Sequence, residues 1–210
     1  MVNLSKIELT KRGQSINLTK SQDQGIGEIL VNLNWNQQSV KPSGGFLSSL
    51  FGTKSSSGID LDLGCLFELT DGSKSCVQAL GNAFGNLHSP PFVELDGDDR
   101  TGMVSGGENL RINGDKVKDI KRVLVYAFIY EGVANWSEAD GIVTINYKTG
   151  PSIEVRLNEH RNGKNMCAIA MIENVNNETF KVERLVEYFN GHKEMDDAYH
   201  WGLSWRAGRK

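Results

Sequence analysis

The dominant period of apolar residues along this chain is two. In Ile29–Trp35 one face is apolar throughout while the other turns polar, and Ile153, Val155 and Leu157 alternate with Ser152, Glu154 and Arg156. Trp201, Leu203 and Trp205 share one face near the C-terminal end. Successive side chains of a strand point to opposite faces, so each pattern predicts a strand with one side on a core. Val123–Tyr130 is apolar on both faces, which predicts a central strand covered on both sides. Ile142–Tyr147 and Met166–Val175 read as further strands. Val182, Leu185, Val186 and Phe189 carry the i, i+3, i+4, i+7 spacing of a helix, and there strand and helix both stay open. Short helices are expected at Gly191–His200 and around Asp115–Lys118. Many short strands between Gly, Asn and Asp turns predict an all-β fold, a β-sandwich of two mainly antiparallel sheets with one or two short helices.

Composition adds one break to this picture. Residues 37–58 hold seven serines, four glycines and Pro42, a flexible Ser/Gly-rich insertion loop longer than compact domains usually carry. Inside it lies an apolar island, Phe46-Leu47-Ser48-Ser49-Leu50-Phe51. The loop is expected to lie outside the core, because serine and glycine gain too little from burial to offset ordering entropy. The island reads either as a docking element for a partner or membrane surface or as a loop tip of no consequence. No other linker or repeat is visible, so residues 1–210 read as a single domain with that one insertion. Lys+Arg 23 against Asp+Glu 26 gives a net charge of −3, which lacks the basic face that nucleic-acid binding needs. No run of 18 apolar residues predicts a transmembrane helix, and Met1–Lys6 lacks the apolar stretch of a signal peptide. Cys65, Cys76 and Cys167 stand far apart with no C-x-x-C pair, and read as reduced, packed thiols of a cytoplasmic protein.

Chemistry concentrates in two acidic clusters. In Gly58–Cys65 the alternation places Asp60 and Asp62 on one face, opposite Ile59, Leu61 and Leu63. The second cluster is Asp96-Gly97-Asp98-Asp99-Arg100-Thr101-Gly102, followed by Gly106-Gly107-Glu108-Asn109. Carboxylates gathered in a glycine-rich loop are what a hard cation requires, since calcium takes six to eight oxygens, some of them backbone carbonyls. The loop is not an EF-hand. Counted from Asp96, the twelfth position is Gly107 rather than Glu, and Arg100 occupies a ligand position. Spacing alone slightly favours a second reading, in which these are Asx-turn residues and solvated charges.

Longer strings carry more. Gly58-Ile59-Asp60-Leu61-Asp62 followed by Gly97-Asp98-Asp99-Arg100-Thr101-Gly102 resembles the paired signature of the TerD-domain superfamily. Val77–Gly85, Gly107–Asn113, Tyr126–Gly132 and Leu185–Phe189, with the following Gly191-His192 and Glu194-Met195-Asp196, resemble its TerA tellurite-resistance branch. The likeness covers essentially the whole chain. It implies a two-sheet sandwich, calcium bound by Asp60, Asp62, Asp98, Asp99 and Glu108, and a place in a tellurite- and stress-resistance system. It also implies association with other Ter-type proteins and with a TerC-like membrane protein, which would put the chain in the cytoplasm or peripherally at the inner face of the membrane. One departure stands out: Ser105-Gly106-Gly107 replaces the acidic run that precedes the late glutamate in the family, which implies that one of the family's calcium sites is weak or absent.

Catalytic signatures are lacking. There is no P-loop, no Gly-x-Gly-x-x-Gly after a strand and no Gly-x-Ser-x-Gly, and His88, His160, His192 and His200 lack zinc spacing. The expected function is therefore a non-catalytic, calcium-binding interaction module. The alternatives are a structural scaffold without metal binding and a thiol-dependent enzyme acting on tellurium oxyanions. The last would need accessible thiols, whereas Cys65 alternates with the core face and Cys167 lies in an apolar run.

Overall fold

A computed structural model describes residues 6–20, 25–35, 59–97, 106–131, 136–157 and 163–206. In chain order the strands are β1 (Ile7–Glu8), β2 (Ser15–Asn17), β3 (Glu28–Asn34), β4 (Asp60–Leu69), β5 (Lys74–Gln78), β6 (Gly85–Asn86) and β7 (Val93–Leu95). There follow β8 (Glu108–Asn113), β9 (Ile120–Glu131), β10 (Gly141–Tyr147), β11 (Ile153–Leu157), β12 (Met166–Val175) and β13 (Thr179–Phe189). Two short helices, α1 (Trp136–Ala139) and α2 (His192–Tyr199), complete the set. The strands form a seven-stranded sheet, β1-β11-β10-β3-β8-β7-β6, and a six-stranded sheet, β2-β13-β12-β9-β4-β5. Among the described pairings only β1–β11 is parallel. The all-β sandwich expected from the alternation is the fold observed.

The main core lies between the sheets. Ile29, Val31 and Leu33 of β3 and Leu110 and Ile112 of β8 face Leu61, Leu63 and Cys65 of β4 and Val123, Val125 and Ala127 of β9, all of them buried. A second apolar layer covers the outer face of the six-stranded sheet, where Leu66, Leu124, Tyr126, Phe128, Met166 and Phe189 pack against Met195 of α2 and Trp201. This is why β9 is apolar on both faces, as its sequence predicts. Gly64 lies under the Tyr126 ring, whose atoms would stand 2.8 Å from any added Cβ.

The structure settles the ambiguous segment and corrects two expectations. Thr179–Phe189 is a strand. Phe180, Val182 and Val186 belong to the inter-sheet core, and Leu185 and Phe189 to the outer layer. Apolar residues drawn from two covered faces imitate helical spacing. Trp201–Trp205, expected as a strand, makes no sheet pairing and instead lies as a strap over the outer layer. Its anchor is the Asp196 carboxylate, which accepts hydrogen bonds from the Gly202 and Leu203 amides and from Trp205 Nε1 at 2.7, 2.9 and 2.8 Å. The helix at Gly191–His200 is observed as α2. The one around Asp115–Lys118 is a single 3-10 turn, Gly114–Lys116, capped by the Asn113 side chain. The 37–58 insertion lies outside the described residues.

Candidate functional site

Register places several strand ends at one rim of the sandwich. Leu33 of β3 pairs with Glu108 of β8, Leu95 of β7 with Leu110, and Asp60 of β4 with Glu131 of β9. Two contacts tie the sheets together there. Trp35 Nε1 donates to the Ile59 carbonyl at 2.9 Å, so the two flanks of the insertion meet. The Leu63 amide donates to Glu108 Oε2 at 2.5 Å, which brings a carboxylate of the seven-stranded sheet onto β4 of the other. Gly107 makes that approach possible, since its φ is +70° and an added Cβ would stand 2.1 Å from the Leu33 carbonyl oxygen.

The predicted acidic residues divide as follows. Asp60 is half-buried and Asp62 only 1% exposed, both on β4 and alternating with the core residues Leu61 and Leu63. Glu108 is 3% exposed and alternates with Asn109 and Arg111 on the core side of β8. Glu108 reaches the Leu63 amide of β4 from the inter-sheet side, whereas Asp62 leaves β4 on the opposite face, toward Tyr126 of the outer layer. Asp98 and Asp99 lie outside the described residues, but the chain leaves β7 at Gly97 and returns at Gly106, beside Glu108. Asp96, which opens the acidic run, has another task. It holds Arg111 in a two-pronged ion pair at 2.5 and 2.7 Å, and Arg111 also reaches Glu28.

Buried carboxylates at a strand end cost free energy unless hydrogen bonds, opposite charge or a cation compensate them. The donors at this rim are all oxygens, which suits calcium rather than zinc or copper. Among the described residues, no three His, Cys, Asp or Glu side chains are grouped so as to hold a metal ion. The described carboxylates fit such a site in chemistry, and a full shell needs oxygens from beyond them.

Elsewhere the polar groups are committed to structure. Alternation alone did not reveal a network on the outer face of the six-stranded sheet. Tyr126 Oη donates to Gln78 Oε1 at 2.7 Å, and His192 Nε2 lies 2.8 Å from the same oxygen. The His192 ring lies tilted against Trp205 with centroids 4.6 Å apart and meets Tyr126 and Phe128 edge-on. Burial pulls the imidazole pKa down to about 4, so it is neutral at ordinary pH. Cys65 and Cys167 are fully buried, and burial pushes the Cys65 and Cys76 thiols above their usual range. None of these is a poised nucleophile. No helix among the described residues is long and apolar enough to cross a membrane.

Comparison with known proteins places this rim in context. The TerD domain family model matches residues 6–183. The tellurium resistance protein TerA of an Alcaligenes species is 51% identical over 209 residues, covering 100% of this chain and 60% of that protein. The chain thus spans less than two thirds of that relative. Two solved structures share the fold. SAV2460, a protein of unknown function, aligns with a TM-score of 0.57 at 12% identity, covering 82% of this chain and 95% of its own. SCO6318 of Streptomyces coelicolor A3(2), a homologue of the telluride resistance protein TerD, aligns at 0.52 with 16% identity and the same 82% and 95% coverage. With the family model matching most of its length, this chain belongs to the TerD domain family.

Proposed function

We propose that the chain is a non-catalytic, calcium-binding interaction module serving tellurium resistance. The observation that carries the reading is the hydrogen bond from the Leu63 amide, on the strand that bears Asp60 and Asp62, to Glu108 of the other sheet. In this reading Asp60, Asp62, Asp98, Asp99 and Glu108 form one acidic rim around the ion. Backbone carbonyls of the glycine-rich loop complete the oxygen shell. The role in tellurium resistance follows the relative's name, and the reach of that role beyond this domain follows the same proposal. Other Ter-type proteins and a TerC-like membrane protein are the proposed partners, met at the inner face of the membrane.

Calcium-dependent thermal stability tests the reading, because a ligand that binds only the folded state raises its stability, by about 2.7 kcal/mol at a hundred times Kd. The melting temperature should rise with calcium over an EGTA control. Magnesium should substitute poorly, since it demands near-octahedral geometry and gives up water reluctantly. Asp60→Asn combined with Asp98→Asn should abolish the calcium effect and leave the cation-free protein equally or more stable, because two mutually repelling charges are gone. Calorimetry showing no binding at millimolar calcium would leave the acidic residues with a structural role alone and the chain as a scaffold.

A further inference from the structure

We infer that Asn190–Gly191, the joint between β13 and α2, is a site of spontaneous deamidation that uncouples the C-terminal strap as the protein ages. The chain holds three Asn-Gly pairs, Asn113–Gly114, Asn162–Gly163 and Asn190–Gly191. In such a pair the deprotonated glycine nitrogen attacks the asparagine Cγ. An N–Cγ bond closes a cyclic succinimide, the Cγ–Nδ2 bond breaks, and ammonia leaves with the proton that the glycine gave up. Water then opens the ring at either carbonyl. Attack at Cγ gives aspartate, and attack at the main-chain carbon gives isoaspartate, with the main chain rerouted through the side chain. Glycine suits the step because no Cβ hinders its nitrogen and its backbone reaches conformations closed to other residues.

The fold locks one of these pairs and frees another. Asn113 Oδ1 accepts the Asp115 N–H at 3.2 Å, its Nδ2 donates to the Leu87 carbonyl at 3.0 Å, and the Gly114 N–H donates to the Gly27 carbonyl at 2.8 Å. Electrophile and nucleophile are both held there, and these bonds must break before the two can meet. Asn162 lies outside the described residues. Asn190 is exposed, and among the described residues no hydrogen bond holds its side-chain amide or the Gly191 N–H. Its main-chain N–H donates to Glu194 Oε2 at 2.6 Å. The Gly191 backbone is extended, at φ 168° and ψ −177°, and a Cβ there would meet nothing within 4 Å, so the joint has open space to turn in. The next residue is His192, whose ring links α2 to β5 and to the strap. Isoaspartate lengthens the path from Phe189 to His192 by one carbon–carbon bond, about 1.5 Å. The His192 Nε2–Gln78 Oε1 contact at 2.8 Å has little tolerance for such a displacement, and the ring's seat against Trp205 goes with it. Aspartate instead sets a new carboxylate beside Glu194.

The test incubates the full chain, native and in guanidinium chloride, at mildly alkaline pH, where ionisation of the glycine N–H speeds the step. Mass-spectrometric peptide mapping follows Asn113 and Asn190. In the unfolded chain the two should convert at comparable rates. In the native chain Asn190 should convert roughly 10- to 100-fold faster than Asn113, the factor that the hydrogen bonds on Asn113 and Gly114 impose. Gly191→Ala, which the extended φ and the open space admit, should slow Asn190 roughly tenfold or more by hindering the nitrogen's approach. The deamidated fraction, separated from intact protein by ion exchange, should show faster iodide quenching of tryptophan fluorescence than Asn190→Asp, which gains the charge without the extra bond. Asn190 intact in the native chain over the time in which the unfolded chain converts, or converting no faster than Asn113, overturns the site. A Gly191→Ala chain that converts as fast as wild type overturns the glycine nitrogen as nucleophile. A deamidated fraction that quenches no faster than Asn190→Asp overturns the uncoupling of the strap.

Discussion

His192 shows how much a single side chain owes to its surroundings. In sequence it is one of four scattered histidines, expected to be either solvent-facing or satisfied. In the fold its Nε2 meets Gln78 Oε1 and its ring lies against Trp205. Its pKa of about 4 lies below the ordinary 6.5, so the unfolded chain takes up the proton first as pH falls. Its contribution is therefore fully present above pH 6.5 and lost progressively between 6.5 and about 4. The urea midpoint of the wild type should decline across that window, and His192→Gln should flatten the decline. Equal slopes in the two proteins would show that the imidazole is not held neutral by burial. Asp60 and Asp62 are the opposite case. Alternation with Leu61 and Leu63 already put them on the face away from the inter-sheet core, because a strand's period of two leaves no choice. Glu108 was legible as an acidic residue, but its cross-sheet reach was not, since nothing local ties β8 to β4.

At the scale of elements, β9 and β13 separate local from tertiary information. Both lie in the same sheet, and both have their outer faces covered from one end by α2 and the strap that follows it. For β9 the continuous apolar run announced this. For β13 the cover begins only at Leu185, so the pattern changes partway and resembles a helix. The strap misled for a related reason. Trp201, Leu203 and Trp205 alternate as in a strand, yet what holds them is the buried Asp196 carboxylate rather than a neighbouring strand. Asp196→Ala leaves three donors without that acceptor and should destabilise the protein by about 1–3 kcal/mol. Urea unfolding measures the loss, and faster quenching of tryptophan fluorescence by iodide should accompany it as Trp205 is uncovered. A variant as stable as wild type would mean that apolar packing alone secures the strap.

For the whole molecule, the distribution of thiols and carboxylates bears on what it does. Cys65 and Cys167 are enclosed and Cys76 is half-buried with its thiol pKa raised, so thiol chemistry on tellurium oxyanions has little to work with. Purified native protein given tellurite and a reductant should reduce no more than a boiled control carrying the same thiols. Turnover that disappears on Cys76→Ser would establish the enzymatic alternative. The sequence by itself determined the all-β class, the mainly antiparallel sandwich, the burial of Cys65 and Cys167, and the facing of the two β4 aspartates. Each follows from a periodicity that a short stretch of backbone imposes on its own side chains. Tertiary structure alone decided that β4 and β8 belong to different sheets and meet through Glu108, that Asp96 is taken by Arg111, and that the C-terminal aromatics form a strap. Those outcomes depend on which strands become neighbours and where a ladder ends: Glu108 and the Leu63 amide stand 45 positions apart, and the Asp96–Arg111 and Asp196–Trp205 contacts, 15 and 9 apart, depend on side-chain partners that a strand's period of two does not specify.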